Sequence, residues 1–133
     1  MKQIFFYLLL FFYTVGIFVA SSLSGEQMED VPVFFFTDKV AHILVYLGWG
    51  FLFALAVGRR GLSGRHVLTG MALACLVGLF DELWQGYLQK GRMVELGDWL
   101  GDIFGTTLGL LAFYYLRKIV KGEEANDAQP QLR

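Results

Sequence analysis

Acidic residues interrupt the apolar segments of this 133-residue chain. Asp81 and Glu82 fall near the end of one such segment, and Asp98 and Asp102 fall near the start of another. A charged group at membrane depth costs about 2.5–3.5 kcal/mol on insertion scales and is a functional candidate by default. Carboxylates in such a place could exchange protons, hold a cation or bind a polar ligand.

A second polar group follows one face of another apolar segment. Asp38, His42 and Tyr46 recur every fourth residue, so they share one face if the segment is helical. We expect the neighbouring Lys39 to point elsewhere and reach water. His42 is the most versatile of these residues, because an imidazole can be a cation, a general acid or base, or a ligand near neutral pH.

The acidic residues also share helical faces. Glu82 and Gln85 are three residues apart and lie on one face, with Asp81 at its border. Asp98 and Asp102 are one helical turn apart, where two carboxylates repel by roughly 2–3 kcal/mol at an effective dielectric near 20. The aspartate pair therefore needs a shared proton, a bound metal ion or a basic partner.

Arg92 is the basic residue nearest to the aspartate pair along the chain. We predict that Arg92 folds inward and pairs with Asp98, Asp102 or Glu82. A guanidinium is permanently charged and can bind an anion with two parallel hydrogen bonds. Arg92 would then neutralise the acidic residues or bind an anionic ligand.

Gly101, Gly105 and Gly109 form a G-x-x-x-G-x-x-x-G pattern on the segment of the aspartate pair. Small residues at this spacing allow two helix backbones to approach closely in lipid. We predict that this face packs against another helix.

Membrane-spanning helices must position these residues. The chain is 56% hydrophobic and has only two prolines, and a helix of about 20 apolar residues spans a bilayer. We predict an all-α membrane protein, a four-transmembrane-helix bundle occupying residues 1–117, with a polar tail over 118–133. The first segment is longer and more aromatic than a signal peptide, so we expect a retained helix. The predicted helices cover about residues 4–22, 38–57, 66–86 and 96–117.

The distribution of basic residues predicts the orientation of this bundle. Lysine and arginine favour cytoplasmic loops, and eight of the eleven basic residues would fall on one side of four such helices. We therefore expect both termini in the cytoplasm and the acidic residues at the outer face. The eight are Lys2, Arg59, Arg60, Arg65, Arg117, Lys118, Lys121 and Arg133, against Lys39, Lys90 and Arg92.

Structural roles remain open for the same residues. Asp38 could be only a helix cap, and the acidic residues could only hold helices together.

The single cysteine, Cys75, excludes an internal disulfide and a cysteine-based metal site. His66, beside Arg65, is expected to be solvated.

The ordered set of polar motifs resembles the VanZ-like family of bacterial membrane proteins. The sequence departs from that family's pattern at Trp84, where many members have histidine, and at Lys90, where proline is common. The similar segments are Asp38-Lys39-Val40-Ala41-His42 with Tyr46, Asp81-Glu82-Leu83-Trp84-Gln85, Gly91-Arg92, and Asp98 to Gly105 with Gly109.

The resemblance implies a multi-pass protein of the bacterial cytoplasmic membrane with a polar site at its outer face. The family is associated with resistance to the glycopeptide antibiotic teicoplanin, and no reaction is established for it. The resemblance therefore implies membrane lipid, and a lipid-linked or glycopeptide ligand, as partners, and no nucleic acid. The implied ligand-binding residues are Asp38, His42, Tyr46, Glu82, Gln85, Arg92, Asp98 and Asp102.

Three functions are compatible with these residues. The first is binding of a lipid-linked or anionic headgroup, with a divalent cation held by Asp98 and Asp102 as one way to bridge to phosphate. The second is an enzyme acting on an envelope lipid, in which His42 or Glu82 is the general base, Asp38 orients His42, and the aspartate pair holds a metal or shares a proton. The third is a structural or modulatory subunit of a membrane complex. The ligand, the cofactor and the oligomeric state stay open at this point.

Overall fold

The structure, a computed structural model, describes residues 2–23, 35–58, 61–88 and 96–127. The described residues form helices and their immediate ends, with no strand among them. All four helices are long and apolar enough to cross a membrane, which confirms the predicted all-α, four-helix membrane fold. They are α1 (Lys2–Leu23), α2 (Phe35–Val57), α3 (Gly64–Leu88) and α4 (Leu96–Asp127).

The helix ends differ most from the prediction at the C-terminal side of α4. This helix continues to Asp127 rather than ending near residue 117. The added segment contains lysine, glutamate and alanine, which favour helix, and no proline. The first part of the polar tail is therefore a continuation of α4.

A reciprocal cap marks the beginning of α3. Ser63 Oγ accepts a hydrogen bond from the backbone N–H of His66, and His66 Nδ1 accepts one from the backbone N–H of Ser63, both at 3.3 Å. This is the capping-box arrangement, with histidine in the place of the usual glutamate. His66 is only partly exposed, and it accepts the hydrogen bond of a backbone donor just before the helix.

Helices that follow one another along the chain alternate in direction. Gln3 Nε2 donates to the carbonyl of Ala56 at 3.3 Å, and Arg117 Nη1 donates to the carbonyl of Gly58 at 2.7 Å. The start of α1, the end of α2 and the later part of α4 therefore lie at one end of the bundle. The side of the membrane that this end faces stays a prediction.

The closest helix pair is α2 with α4, and glycine makes it close. A Cβ atom on Gly105 would overlap the carbonyl oxygen of Ile43, and one on Gly109 would overlap that of Leu47. The backbones therefore touch, as the spacing of these glycines predicts. Gly101 is looser, since its Cβ would lie 3.6 Å from the Ile43 side chain.

A glycine of α2 contributes to the same interface. A Cβ atom on Gly50 would lie 2.5 Å from the carbonyl oxygen of Thr106 on α4. Gly50 belongs to no glycine pattern in the sequence, because no glycine lies four residues before or after it. Close packing from both sides fixes the register of α2 against α4.

Candidate functional site

A group of buried and partly buried polar side chains lies at the end of the bundle where α2 and α4 begin. Three helices contribute to it, and its acidic members are almost inaccessible, with Asp102 at 0% exposure and Asp98 at 1%. We call this group the polar cluster. Its members are Lys39, His42 and Tyr46 of α2, Asp81, Glu82 and Gln85 of α3, and Asp98 and Asp102 of α4.

Two basic side chains of α2 bind the two aspartates of α4. Lys39 Nζ lies 2.8 Å from Asp98 Oδ1, and His42 Nδ1 lies 2.9 Å from Asp102 Oδ1. The two helices run in the same direction. Lys39 and His42, three residues apart on α2, therefore contact Asp98 and Asp102, four residues apart on α4. The basic partner that the aspartate pair requires is therefore supplied for each aspartate by α2.

The expectation that Lys39 points away from the site is wrong. Lys39 precedes His42 by three residues, so it can reach the same helix face. Gly97 leaves room for the ammonium group, because a Cβ atom there would lie 2.8 Å from Lys39 Nζ. Lys39 keeps 28% of its side chain exposed while it binds the buried Asp98, so it lies at the edge of the polar cluster.

The acidic residues of α3 lie inside the bundle. Asp81, predicted at the border of the polar face, is only 1% exposed, and Glu82 is 3% exposed. Gln85 Nε2 donates to Asp81 Oδ2 at 3.1 Å. Asp81 is therefore a full member of the polar cluster.

Close contact between α3 and α4 brings these residues to the aspartate pair. A Cβ atom on Gly78 would lie 2.5 Å from Asp102 Oδ2, so only glycine leaves room for this carboxylate. Trp99 Nε1 donates to the carbonyl of Cys75 at 3.0 Å and links the same two helices. Packing of α3 on α4 thus depends on the same turns that carry the acidic residues.

Three helices converge on one small space within the polar cluster. A ligating atom from each of His42, Glu82 and Asp98 lies within 4.8 Å of the other two. One nitrogen and two carboxylate oxygens at this separation could share a proton or a cation. The sequence spacing points to Asp98 and Asp102 for a cation, because spacing along the chain does not show which residues of α2 and α3 face α4.

Several buried polar atoms have no hydrogen-bond partner among the described residues. They include Tyr46 Oη, Asp102 Oδ2 and Thr106 Oγ1. Tyr46 is close enough to Asp102, Asp81 and Glu82 for electrostatic interaction with them. Thr106 was not predicted as a site residue, although it follows Asp102 by one helical turn and its spacing places it on the same face. Buried polar atoms without partners are uncommon in proteins and are sites where a water or ligand is expected.

Two predicted site residues fall partly or wholly outside the described structure. Arg92 lies outside the described residues, so its inward position stays a prediction. Asp38 is one turn before His42 on α2, but its side chain is not among those described. The expectation that Asp38 orients His42 stays a prediction, and Asp102 Oδ1 lies 2.9 Å from His42 Nδ1.

Most of the chain matches a model of one protein family. A model of the VanZ/LLP1 family matches residues 1–118. The chain belongs to the VanZ/LLP1 family. The match includes α1, α2, α3, the polar cluster and most of the apolar part of α4, and it confirms the resemblance seen in the sequence. No curated protein and no solved structure is significantly similar to this VanZ-family chain.

Proposed function

We propose that this VanZ-family protein binds the anionic headgroup of a lipid-linked ligand at the outer face of the bacterial cytoplasmic membrane. The observation that carries the proposal is the polar cluster, in which charges buried among three membrane helices reach the edge of the bundle through Lys39. Buried charges in a membrane protein are costly and are kept mainly where they serve a function.

The described basic residues support the proposed orientation. Arg65, Arg117, Lys118 and Lys121 belong to the end of the bundle opposite the polar cluster. Basic residues favour the cytoplasmic side, so the polar cluster would face outward. At that depth it can meet the headgroups of the outer leaflet.

The charges of the polar cluster determine how an anion could bind. Its carboxylates repel an anion, so contact must come from basic side chains at its edge or from a cation. Lys39 is partly exposed and is held by Asp98 at 2.8 Å. Arg92, if it folds inward as predicted, would add a planar donor to the same edge.

Binding of a polyprenyl phosphate to the purified protein in nanodiscs tests this proposal. The matched control ligand is the polyprenol, which lacks the phosphate. We expect saturable binding of the phosphate and none of the alcohol. Lys39→Gln should weaken binding, Lys39→Arg should retain most of it, and Lys121→Gln, which alters an exposed lysine at the other end, should have no effect.

Two results would count against headgroup binding. One is equal binding of the phosphate and the alcohol, and the other is equal binding by wild type and Lys39→Gln. If every variant in the polar cluster instead lost folded protein while ligand binding was absent in wild type, the acidic residues would serve only to hold helices together.

An enzymatic function is the second candidate, and the His42–Asp102 hydrogen bond favours it. A histidine oriented by a buried carboxylate is a common general base, and Glu82 lies beside it. In this case His42→Ala would retain ligand binding but lose activity in cells. A lipidomic comparison of wild-type and deletion cells would then show an accumulated substrate.

The proposed link to glycopeptide resistance has its own test. Deletion of the gene should increase sensitivity to teicoplanin, and the wild-type gene should restore resistance. If the Asp102→Asn gene restored resistance as well as the wild-type gene, resistance would not depend on the polar cluster.

A further inference from the structure

The space between His42, Glu82 and Asp98 has the composition of a metal site. Each residue comes from a different helix, and their ligating atoms lie within 4.8 Å of one another. Glu82 and Asp98 are 3% and 1% exposed. Three helices thus hold an imidazole and two carboxylates around one point that is shielded from solvent.

Asp102 binds the histidine of this group, as a carboxylate next to a metal-binding histidine often does. Its Oδ1 binds His42 Nδ1 at 2.9 Å. A metal-binding histidine usually donates one ring N–H to a carboxylate, which fixes the ring and directs the other nitrogen toward the metal. With Nδ1 donating to Asp102, Nε2 would be the nitrogen that faces a metal.

Buried atoms of two residues that adjoin His42 still lack hydrogen-bond partners among the described residues. Asp102 Oδ2 and Tyr46 Oη are both fully buried in this way, and both residues are at most 1% exposed. Tyr46 follows His42 by one turn on the same face of α2. A water bound to a cation is the kind of group that could satisfy such atoms.

We propose that His42, Glu82 and Asp98 bind a divalent transition-metal cation, with Asp102 as a positioning residue for the His42 ring. An imidazole together with carboxylates suits Mn²⁺ or Zn²⁺ better than Ca²⁺, which prefers oxygen ligands alone. Three protein ligands leave coordination positions open for a water or a phosphate oxygen. The role of the cation in headgroup binding rests on the proposed function, whereas the cation site rests on the geometry alone.

The test uses metal-free full-length protein, purified in detergent without a histidine tag and without added lipid phosphate. Calorimetric titration with Mn²⁺ and with Zn²⁺ should show one site for each protein molecule, and Ca²⁺ should bind more weakly. Pulsed electron paramagnetic resonance of the Mn²⁺ complex should detect modulation by an imidazole nitrogen. The chain has two histidines, so the source of that signal can be identified by substitution.

Matched variants separate direct ligation from a general effect of charge. Glu82→Gln should lower metal affinity about tenfold or more, while Asp81→Asn, which removes a neighbouring buried acid on the same helix, should keep most of it. His42→Gln should abolish the nitrogen signal. His66→Gln, at the opposite end of the bundle, should retain both affinity and signal.

Several outcomes would overturn the metal site. They are no stoichiometric binding to wild type, no nitrogen signal, or an equal loss of affinity in Asp81→Asn and Glu82→Gln. If Glu82→Gln or His42→Gln did not fold, the nitrogen signal of wild type and of His66→Gln would still decide. The metal titration contains no lipid ligand, so the two proposals are tested separately. A protein that binds no metal could still bind a headgroup through Lys39, and a protein that binds no headgroup could still bind a metal.

Discussion

Individual charges in the polar cluster are stabilised by partners on another helix. Lys39 binds Asp98 and His42 binds Asp102, so each aspartate of α4 has a basic partner on α2. A hydrogen bond between charged groups is stronger than a neutral one, and removing one partner leaves the other buried. Single substitutions should therefore reveal how strongly each pair is coupled.

The Lys39–Asp98 pair gives the first prediction of stability. Lys39→Met should destabilise the protein by about 1–3 kcal/mol, because Asp98 loses a charge-assisted bond while it stays buried. Asp98→Asn in the same chain should recover part of this loss. Unfolding in detergent, measured for both single variants and the double variant, gives the coupling energy. Strictly additive effects would mean that the ion pair contributes nothing to stability.

The buried hydroxyl of Thr106 gives a second prediction of stability. Its hydroxyl is buried and has no hydrogen-bond partner among the described residues. Thr106→Val keeps the shape and removes the hydroxyl, so stability should be unchanged or higher. Thr106→Ala also removes a methyl group and should cost about 1 kcal/mol through the cavity it leaves. A clear loss of thermal stability in the valine variant would indicate that a bound water or ligand satisfies the hydroxyl.

At the scale of the helices, the α2–α4 pair sets the geometry of the polar cluster. Backbone contact at Gly50, Gly105 and Gly109 fixes the register of the two helices. That register brings Lys39 to Asp98 and His42 to Asp102. The glycines therefore affect the site without contacting a ligand.

Two alanine substitutions on α4 test this interpretation. Gly105→Ala places a Cβ atom against the carbonyl oxygen of Ile43, which belongs to the backbone and cannot rotate away. It should destabilise the protein by about 1–3 kcal/mol, as overpacking does elsewhere. The control is Gly101→Ala, whose Cβ would make ordinary contacts at 3.6 Å or longer. Similar thermal midpoints for both variants in detergent would contradict a register fixed by Gly105.

At the scale of the whole molecule, four helices of alternating direction place the polar cluster at one end and most described basic residues at the other. The hydrogen bonds of Gln3 and Arg117 with the end of α2 put the start of α1 and the later part of α4 together. The start of α1 and the later part of α4 therefore lie at the same end of the bundle, and the side of the membrane that this end faces stays a prediction.

Reporter fusions test which side that is. A reporter active only outside the cytoplasm should work after Glu29 and Lys90, because both positions precede helix starts at the end that carries the polar cluster. The same reporter should be inactive after Gly61 and Glu124, near the basic residues that favour the cytoplasm. Activity at Gly61 would reverse the orientation, and the polar cluster could not then bind a ligand from the outer leaflet.

The sequence by itself determined the helices and most members of the polar cluster. Long apolar segments predict membrane helices because a bilayer requires about 20 such residues. Helical periodicity grouped His42 with Tyr46, Asp98 with Asp102, and the glycines with the aspartates. These conclusions depend on contacts within one helix, which sequence spacing alone determines.

Only the tertiary structure decided which residues meet across helices. The direction of Lys39 and the pairing of His42 with Asp102 depend on the register of α2 against α4. The burial of Asp81 and the meeting of Glu82 with His42 and Asp98 depend on how α3 packs on both helices. Close contacts at glycines of α2, α3 and α4 set these relations. The periodicity of a single helix carries no information about its rotation relative to a neighbour.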